Sequence, residues 1–521
     1  MSTALPYVVT FALYFAAMIG IGVWVYNRNR SLSDFILGGR SLGSWVAALS
    51  AMASDLSGWL LLGLPGAAYA AGVGGSAWIL IGLFVGLYIN WRFVAPRLRD
   101  YSEQATDYHT GKQSDSLTLS EYFENRFEDR SHLLRMISAI TIIVFFSIYV
   151  AAGLVGGGIL FESVFGTSPT LGVSLTILVI VIYTFIGGFL AVSYTDSVQG
   201  VLMWSAIIIV PIIIFAVSGG IGPIIAGVAS KSPELLQLTG NVSLTDGSWV
   251  ASGTVGLVVI VSGLAWGAGY FGQPHILARF MAIRSASLLP RARRIGVTYG
   301  ITAMSAGVII GLAGIAFFDQ PLSDPESVFL RLVEVLFNPW IAGVLLVGVL
   351  AAIMSTASSQ LLVVASALTE DLYRNFLHRE ASGAHLLWVG RLTVVGVGLV
   401  AYVLALQGGT VLGLVAYAWA GFGAAFGTVL ITSLFWRKMN RVGALAGMIA
   451  GGATVLIYKQ IDTIGLYEMI PGVLAGFICI FVFNRFGAAP TAAMESDFDT
   501  VVEQQSAGTR AESERVGAPR S

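Results

Sequence analysis

Three polar clusters interrupt long apolar runs in this sequence, and each offers oxygen donors where a helix in lipid has no use for them. The first, Ala53-Ser54-Asp55-Leu56-Ser57-Gly58-Trp59, sets a carboxylate, two hydroxyls and a glycine in the middle of a hydrophobic stretch. An ionisable group at bilayer depth is tolerated only beside a partner or a water-filled cavity, so Asp55 marks an ion or substrate pathway. The second covers residues 262–274 and packs four glycines and a proline around Trp266 and Tyr270. The third covers residues 351–360 and carries four hydroxyls, on Ser355, Thr356, Ser358 and Ser359. Hydroxyls, together with carbonyls released by a helix break, are hard neutral donors that suit sodium without a large desolvation cost.

Each cluster also has a plainer use. Asp55 can cap a half-helix by accepting from backbone N–H groups, and glycines of the second cluster can serve close helix packing alone. Trp266 and Tyr270 share a helical face and fit an interfacial aromatic belt, although their mid-span position argues against it. The serines and threonine of the third cluster can bond back to carbonyls of their own helix.

The elements that must position these residues are membrane helices. Of 521 residues, 56% are hydrophobic and 11% charged, and the mean hydropathy is +0.81. That composition excludes a soluble domain and describes an all-α integral membrane protein. Apolar runs of spanning length lie near residues 7–26, 42–70, 76–94, 133–161, 170–187, 190–217 and 252–272. Others follow near 295–317, 339–363, 388–407, 411–435, 442–458 and 468–484, which predicts about 13 transmembrane helices. The first run has no positive residue before it and is followed by Arg28 and Arg30, so it reads as a retained span with its N-terminus outside, not as a signal peptide. With that orientation all 28 lysines and arginines except Lys231, Arg331 and Lys459 fall on the cytoplasmic side, where the C-terminus also lies. The two glycine-broken stretches sit five spans apart on oppositely directed helices, the arrangement of a transport site between inverted repeats.

The connections carry less chemistry. Residues 325–337 place apolar positions at helical spacing around Glu326, Arg331 and Glu334, which predicts an amphipathic helix on the outer surface, either interfacial or a lid over a vestibule. Residues 101–117 and the tail beyond Gly487 are polar without an apolar period and read as solvated and partly disordered, with no catalytic or nucleotide-binding module. His275 and His385 read as cytoplasmic edge residues. The single cysteine, Cys479, excludes an intrachain disulfide and a cysteine-based metal site. The net charge of −1 says nothing about partners.

Five segments, SDLSGWLL from Ser54, FIGGFLAVSYTD from Phe185, GYFGQPHILARFMA from Gly269, STASSQLL from Ser355 and AYAWAGFGAAFG from Ala416, carry a resemblance to the sodium/solute symporter family. It runs from residues 34–43 to residues 467–472, and the insertion near 101–116 and the tail match poorly. The resemblance implies a leucine-transporter-type (LeuT-type) core of five plus five inverted spans. Residues 42–217 (spans 2–6) would form the first repeat and 252–435 (spans 7–11) the second, joined by an external loop at 218–251. Residues 1–41 would hold the first span and loop, 436–486 spans 12 and 13, and 487–521 a disordered cytoplasmic tail.

It also implies a sodium site between spans 2 and 9, formed by the carbonyls of Ala53, Leu56 and Ala352 and the hydroxyls of Ser355 and Thr356. Leu56 stands where the family has methionine, which a carbonyl ligand tolerates. Asp55 and Ser57, beside Gly58, would couple sodium to a substrate lying against Trp59, Tyr149, Trp266 and Tyr270, with Pro274 shaping the unwound segment. Arg40, Asp196 and Arg391, near cytoplasmic span ends, would affect coupling or gating; simple snorkelling serves as well. The implied activity is import of L-proline with sodium by alternating access across the cell (plasma) membrane. The partners implied are L-proline, the sodium ion and the lipid bilayer, with no nucleic acid and no obligate protein partner.

Two rivals stay open: the same machine acting on another small amino or organic acid, since fold does not fix substrate, and a transporter-like membrane sensor, against which the short tail argues. An enzyme is disfavoured, because no paired carboxylates, metal-spaced histidines or nucleophile motif stand together in the spans.

Overall fold

A computed structural model describes residues 4–26, 40–104, 106–107, 112–113, 116–186, 189–378 and 380–517. Arg28, Arg30, Arg379, residues 34–39 of the N-terminal motif and Gly187 and Gly188 lie outside them. The first half of the chain forms α1 (Ala4–Tyr26), α2 (Ser44–Asp55), α3 (Leu64–Ile89), α4 (Ala95–Gln104), α5 (Leu119–Arg126), α6 (Leu133–Phe165), α7 (Pro169–Ile186), α8 (Phe189–Val217) and α9 (Ile221–Lys231). The second half forms α10 (Leu257–Ala265), α11 (Pro274–Ala282), α12 (Leu289–Phe317), α13 (Val328–Leu336), α14 (Pro339–Ser366), α15 (Gly383–Ala405), α16 (Val411–Phe422), α17 (Thr428–Phe435), α18 (Arg441–Ile461), α19 (Met469–Phe483) and α20 (Ala492–Gly517).

Helices dominate because a helix satisfies its own backbone where lipid offers no partner. Among the described residues, nine helical runs are long and apolar enough to cross a membrane, and shorter apolar helices lie at Leu5–Ile21, Pro169–Ile182, Ile221–Lys231 and Leu257–Gly272. The most interior helix is α14, whose small residues Ala351, Ala352, Ser355, Ala357, Ser358 and Ser359 are all buried and admit close neighbours. Around it pack α1, α2, α6, α8 and α15.

Several connections depart from the expectations. The loop at 218–251 is built, with α9, a 3-10 turn at Pro233–Leu236, and an antiparallel hairpin of β3 (Gly240–Thr245) and β4 (Ser248–Thr254), which follows a short earlier pair, β1 (Thr106–Asp107) with β2 (Lys112–Gln113). Because β4 runs to Thr254, the next apolar helix starts at Leu257 rather than at 252. The amphipathic helix at 325–337 forms as a 3-10 turn at Pro325–Ser327 leading into α13, which buries Val328, Phe329, Leu330, Leu332 and Val333 and leaves the Arg331–Glu334 pair (2.9 Å) toward solvent. The tail beyond Gly487 is not plainly disordered. α20 buries Met494, Phe498 and Val501 at spacings of four and three, a helical apolar stripe diluted by acidic residues. In the stretch 101–117, Tyr101, Ser102 and Ser116 are buried, so its described ends are packed rather than solvated.

Candidate functional site

Both glycine-rich stretches are broken helices, and the break frees backbone oxygens. α2 stops at Asp55, and Leu56 leaves helical geometry at φ −85°, ψ 75°. In a continued helix the Ser57 N–H would serve Ala53 and the Leu60 N–H would serve Leu56. Instead Ser57 donates to the Asp55 carbonyl and Leu60 to the Ser57 carbonyl, both at 3.0 Å. The released Ala53 carbonyl accepts the hydroxyls of Ser355 (2.8 Å) and Thr356 (3.3 Å) from α14, and Ser355 also bonds the Ala352 carbonyl at 3.2 Å. Ala53, Ala352, Ser355 and Thr356 are therefore brought together; Leu56 supplies a released carbonyl, with no bond to the other four among the described residues.

The second break begins after α10. A tight 3-10 segment, Trp266–Gly272, leads to an extended Gln273 and then to α11, with Pro274 in its first turn. Two glycines are required by close approach: a Cβ on Gly269 would meet Trp419 Nε1 at 1.9 Å, and one on Gly272 the Phe422 carbonyl at 2.0 Å. That closeness lets the Trp419 indole donate to the Trp266 carbonyl at 2.8 Å and Gln273 to the Gly269 carbonyl at 3.1 Å, so partners on other elements replace the lost helix bonds.

The two breaks face each other. Tyr270 donates to Asp55 Oδ2 at 2.9 Å, while Asp55 Oδ1 is buried and has no partner among the described residues. The Trp59 indole donates to the Asp55 carbonyl at 3.0 Å, its ring 6.4 Å from that of Trp266, which stacks on Tyr467 at 5.5 Å. Tyr149 lies beside Ser57 and Trp59 within electrostatic reach of Asp55. Gly58 is in place, facing Ile353 of α14. Pro274 stands apart from this cage, in the wall of a cavity lined also by Ala278, Met281, Ser366, Thr118 and Asp371.

The three residues assigned to coupling have different surroundings. Asp196, in the second turn of α8, is fully buried: its Oδ2 accepts from Arg279 (3.0 Å), Ser50 (3.0 Å), Ser54 (3.3 Å) and Ser359 (3.1 Å). Arg40, also buried, donates to Ser102 and to the carbonyls of Met281 (2.7 Å) and Ser116 (3.0 Å) instead of snorkelling. Arg391, half-buried, lies over the rings of Phe185 (5.2 Å) and Trp388 (5.4 Å).

Sequence reasoning missed two residues here. Arg279, counted among cytoplasmic charges, is 1% exposed, and joins α2, α8, α11 and α14 through Asp196, Ser50 and Ser359. His275, placed at a cytoplasmic edge, is fully buried, with its ring 5.3 Å from Phe146 and 5.9 Å from Tyr149. The available signal was the apolar sequence around them, Ile276, Leu277, Ala278, Phe280 and Met281, which continues the helix past both. A further clasp joins two elements: the Glu326 carboxylate accepts the N–H groups of Val411 (2.8 Å) and Leu412 (2.9 Å) at the start of α16, where the helix dipole favours a negative charge.

Comparison with known proteins shows the family. The family model described as the sodium:solute symporter family matches residues 35–451. The chain is 49% identical over 506 residues to the sodium/proline symporter of Escherichia coli strain K12, covering 96% of each, and 48% identical over 487 residues to the high-affinity proline transporter PutP of Bacillus subtilis strain 168, covering 92% of this chain and 98% of that one. Among solved structures it resembles a substrate-bound, outward-open Na+-coupled sialic acid symporter at a TM-score of 0.74 and 20% identity, over 93% of this chain and 98% of that one, a likeness of fold. These matches establish that the chain belongs to the sodium:solute symporter family.

Proposed function

We propose that this protein is a secondary transporter that imports L-proline together with sodium by alternating access. The observation that carries the reading is the Ala53 carbonyl, released by the break in α2 and met by two hydroxyls of α14. In this reading sodium, as co-substrate, replaces the Ser355 and Thr356 protons at that carbonyl and gathers Ala53, Leu56, Ala352, Ser355 and Thr356 around itself. Proline lies against Trp59, Tyr149, Trp266 and Tyr270. The free Asp55 oxygen carries the coupling, since the same side chain sits in the ion's helix and bonds the substrate's aromatic wall.

The thirteen-span arrangement, with N-terminus outside, C-terminus inside and repeats at 42–217 and 252–435, belongs to the same proposal. It is supported by Gly72 (φ 64°, ψ −156°), which breaks the 45-residue run Trp59–Glu103; unbroken, that run would be roughly twice the length a bilayer needs. Glu326 clasped on α16 closes the outer end, and the cavity beyond Pro274 opens toward the inner one. One charge crossing about 100 mV gains about 2.3 kcal/mol, and with a tenfold sodium gradient this supports accumulation on the order of several hundredfold.

The substrate is tested by competing labelled L-proline uptake into proteoliposomes with a panel of small amino and organic acids. Unlabelled L-proline is expected to compete best. A panel member effective at roughly tenfold lower concentration, a gain of about 1.4 kcal/mol, would replace proline as the substrate.

A further inference from the structure

At the end assigned to the cytoplasm, α20 packs on α4 and meets α5 where Phe498 lies against Arg126, its flank held by Arg437 through Glu495 and Asp499, both at 2.9 Å. Beneath it Arg126 is 5% exposed, its guanidinium packed against the rings of Tyr101 (5.4 Å) and Phe498 (5.7 Å). Its Nε donates to the Ser433 carbonyl at 3.3 Å, yet among the described residues neither Nη1 nor Nη2 has a partner, and the hydroxyl of Tyr101, 4% exposed, has none either. These orphaned donors line one narrow cleft, walled also by Tyr122, Asn125, Met494 and Asp497. The Tyr122 hydroxyl bonds Ser433 and the Asn125 amide bonds Ser116, so both are already engaged. A guanidinium taken out of water with both terminal nitrogens unsatisfied costs several kcal/mol, and buried charges are normally paired. The one carboxylate in the wall, Asp497, makes no ion pair with Arg126 among the described residues, and burial pushes its carboxyl up, which Arg126 only partly offsets.

We propose that this cleft binds a small inorganic anion of chloride's size, held by the Arg126 guanidinium and the Tyr101 hydroxyl, which fastens the C-terminal helix to α4 and α5. The space left between the walls takes little more than one such ion, and a lipid headgroup does not fit it. Asp497 acts as the tethered competitor on the far side. The anion is independent of the transported solute, so this site stands or falls apart from the transport reading.

The test is hydrogen exchange of residues 492–506 in the full-length protein in lipid nanodiscs, comparing sodium chloride with sodium gluconate at one ionic strength of about 0.15 M. Chloride is expected to slow exchange of α20 in a saturable way, by roughly tenfold once it stands ten times above its dissociation constant. Arg126→Gln should abolish the chloride effect, and Asp497→Asn should lower the chloride concentration needed. Tyr101→Phe removes a hydroxyl without a partner, so it should fold and need more chloride. Equal exchange of the wild type in the two salts overturns the proposal. Loosening of α20 by Asp497→Asn in both salts also overturns it, making Asp497 the partner of Arg126.

Discussion

Arg279→Gln is expected to destabilise the protein by about 3–5 kcal/mol, the usual cost of leaving one member of a buried ion pair uncompensated. The pair is completely enclosed, Arg279 at 1% and Asp196 at 0% exposure, and Asp196 Oδ2 is the shared acceptor for Ser50, Ser54 and Ser359. Removing the cation leaves that carboxylate facing three hydroxyls and no charge. The double variant Arg279→Met with Asp196→Leu should recover most of the lost stability, because apolar groups of similar volume remove the desolvation penalty altogether. It should not recover transport, since Ser50, Ser54 and Ser359 then lose their shared acceptor and keep only the direct Ser54–Ser359 bond at 3.1 Å between α2 and α14. Thermal unfolding of the purified variants followed by tryptophan fluorescence reads the first effect, and solute uptake reads the second. A single variant within about 0.5 kcal/mol of wild type, the range of ordinary surface changes, would show that the pair is not what joins the four helices.

Asp55→Asn should leave the fold in place and remove coupling. The amide oxygen still accepts from Tyr270, and the Trp59 bond goes to the Asp55 backbone carbonyl, which the substitution does not alter. What is lost is the negative charge beside the proposed ion. Hydrogen bonds to charged groups contribute about 1.5–3 kcal/mol, so the sodium concentration for half-maximal uptake should rise roughly ten- to hundredfold. Stability measured as above should change little. Wild-type sodium dependence in this variant would take Asp55 out of the mechanism and leave it as a capping residue of α2.

The two breaks were legible because their residues are wrong for their setting. Glycines, a proline and a carboxylate in apolar runs predict interrupted helices, and α2 ending at Asp55 and the 3-10 turn before Pro274 are those interruptions. The meeting of Ala53 with Ser355 across more than 300 positions is not visible in either segment alone. Arg279 was misread for a related reason: a charge near a span end looks like a loop residue until its partner is known, and Asp196 lies 83 positions away. Other misses were local. Asp246-Gly247, both at positive φ (49° and 72°), form the two-residue turn between β3 and β4, a dipeptide that favours hairpins and sits between alternating residues. In α20 the stripe of Met494, Phe498 and Val501 is hidden among Glu495, Asp497 and Asp499, three acids that themselves serve Arg437 and the Arg126 cleft.

The most direct test of the sodium site is the rate of labelled L-proline uptake by proteoliposomes holding the purified protein, measured against external sodium in wild type and in Ser355→Ala. The account predicts uptake that requires sodium in the wild type, and in the variant a half-maximal sodium concentration raised by roughly tenfold, as expected when one ligating hydroxyl worth about 1–1.5 kcal/mol is removed. Proline uptake unaffected by the removal of sodium, or a variant with an unchanged sodium dependence, would contradict it.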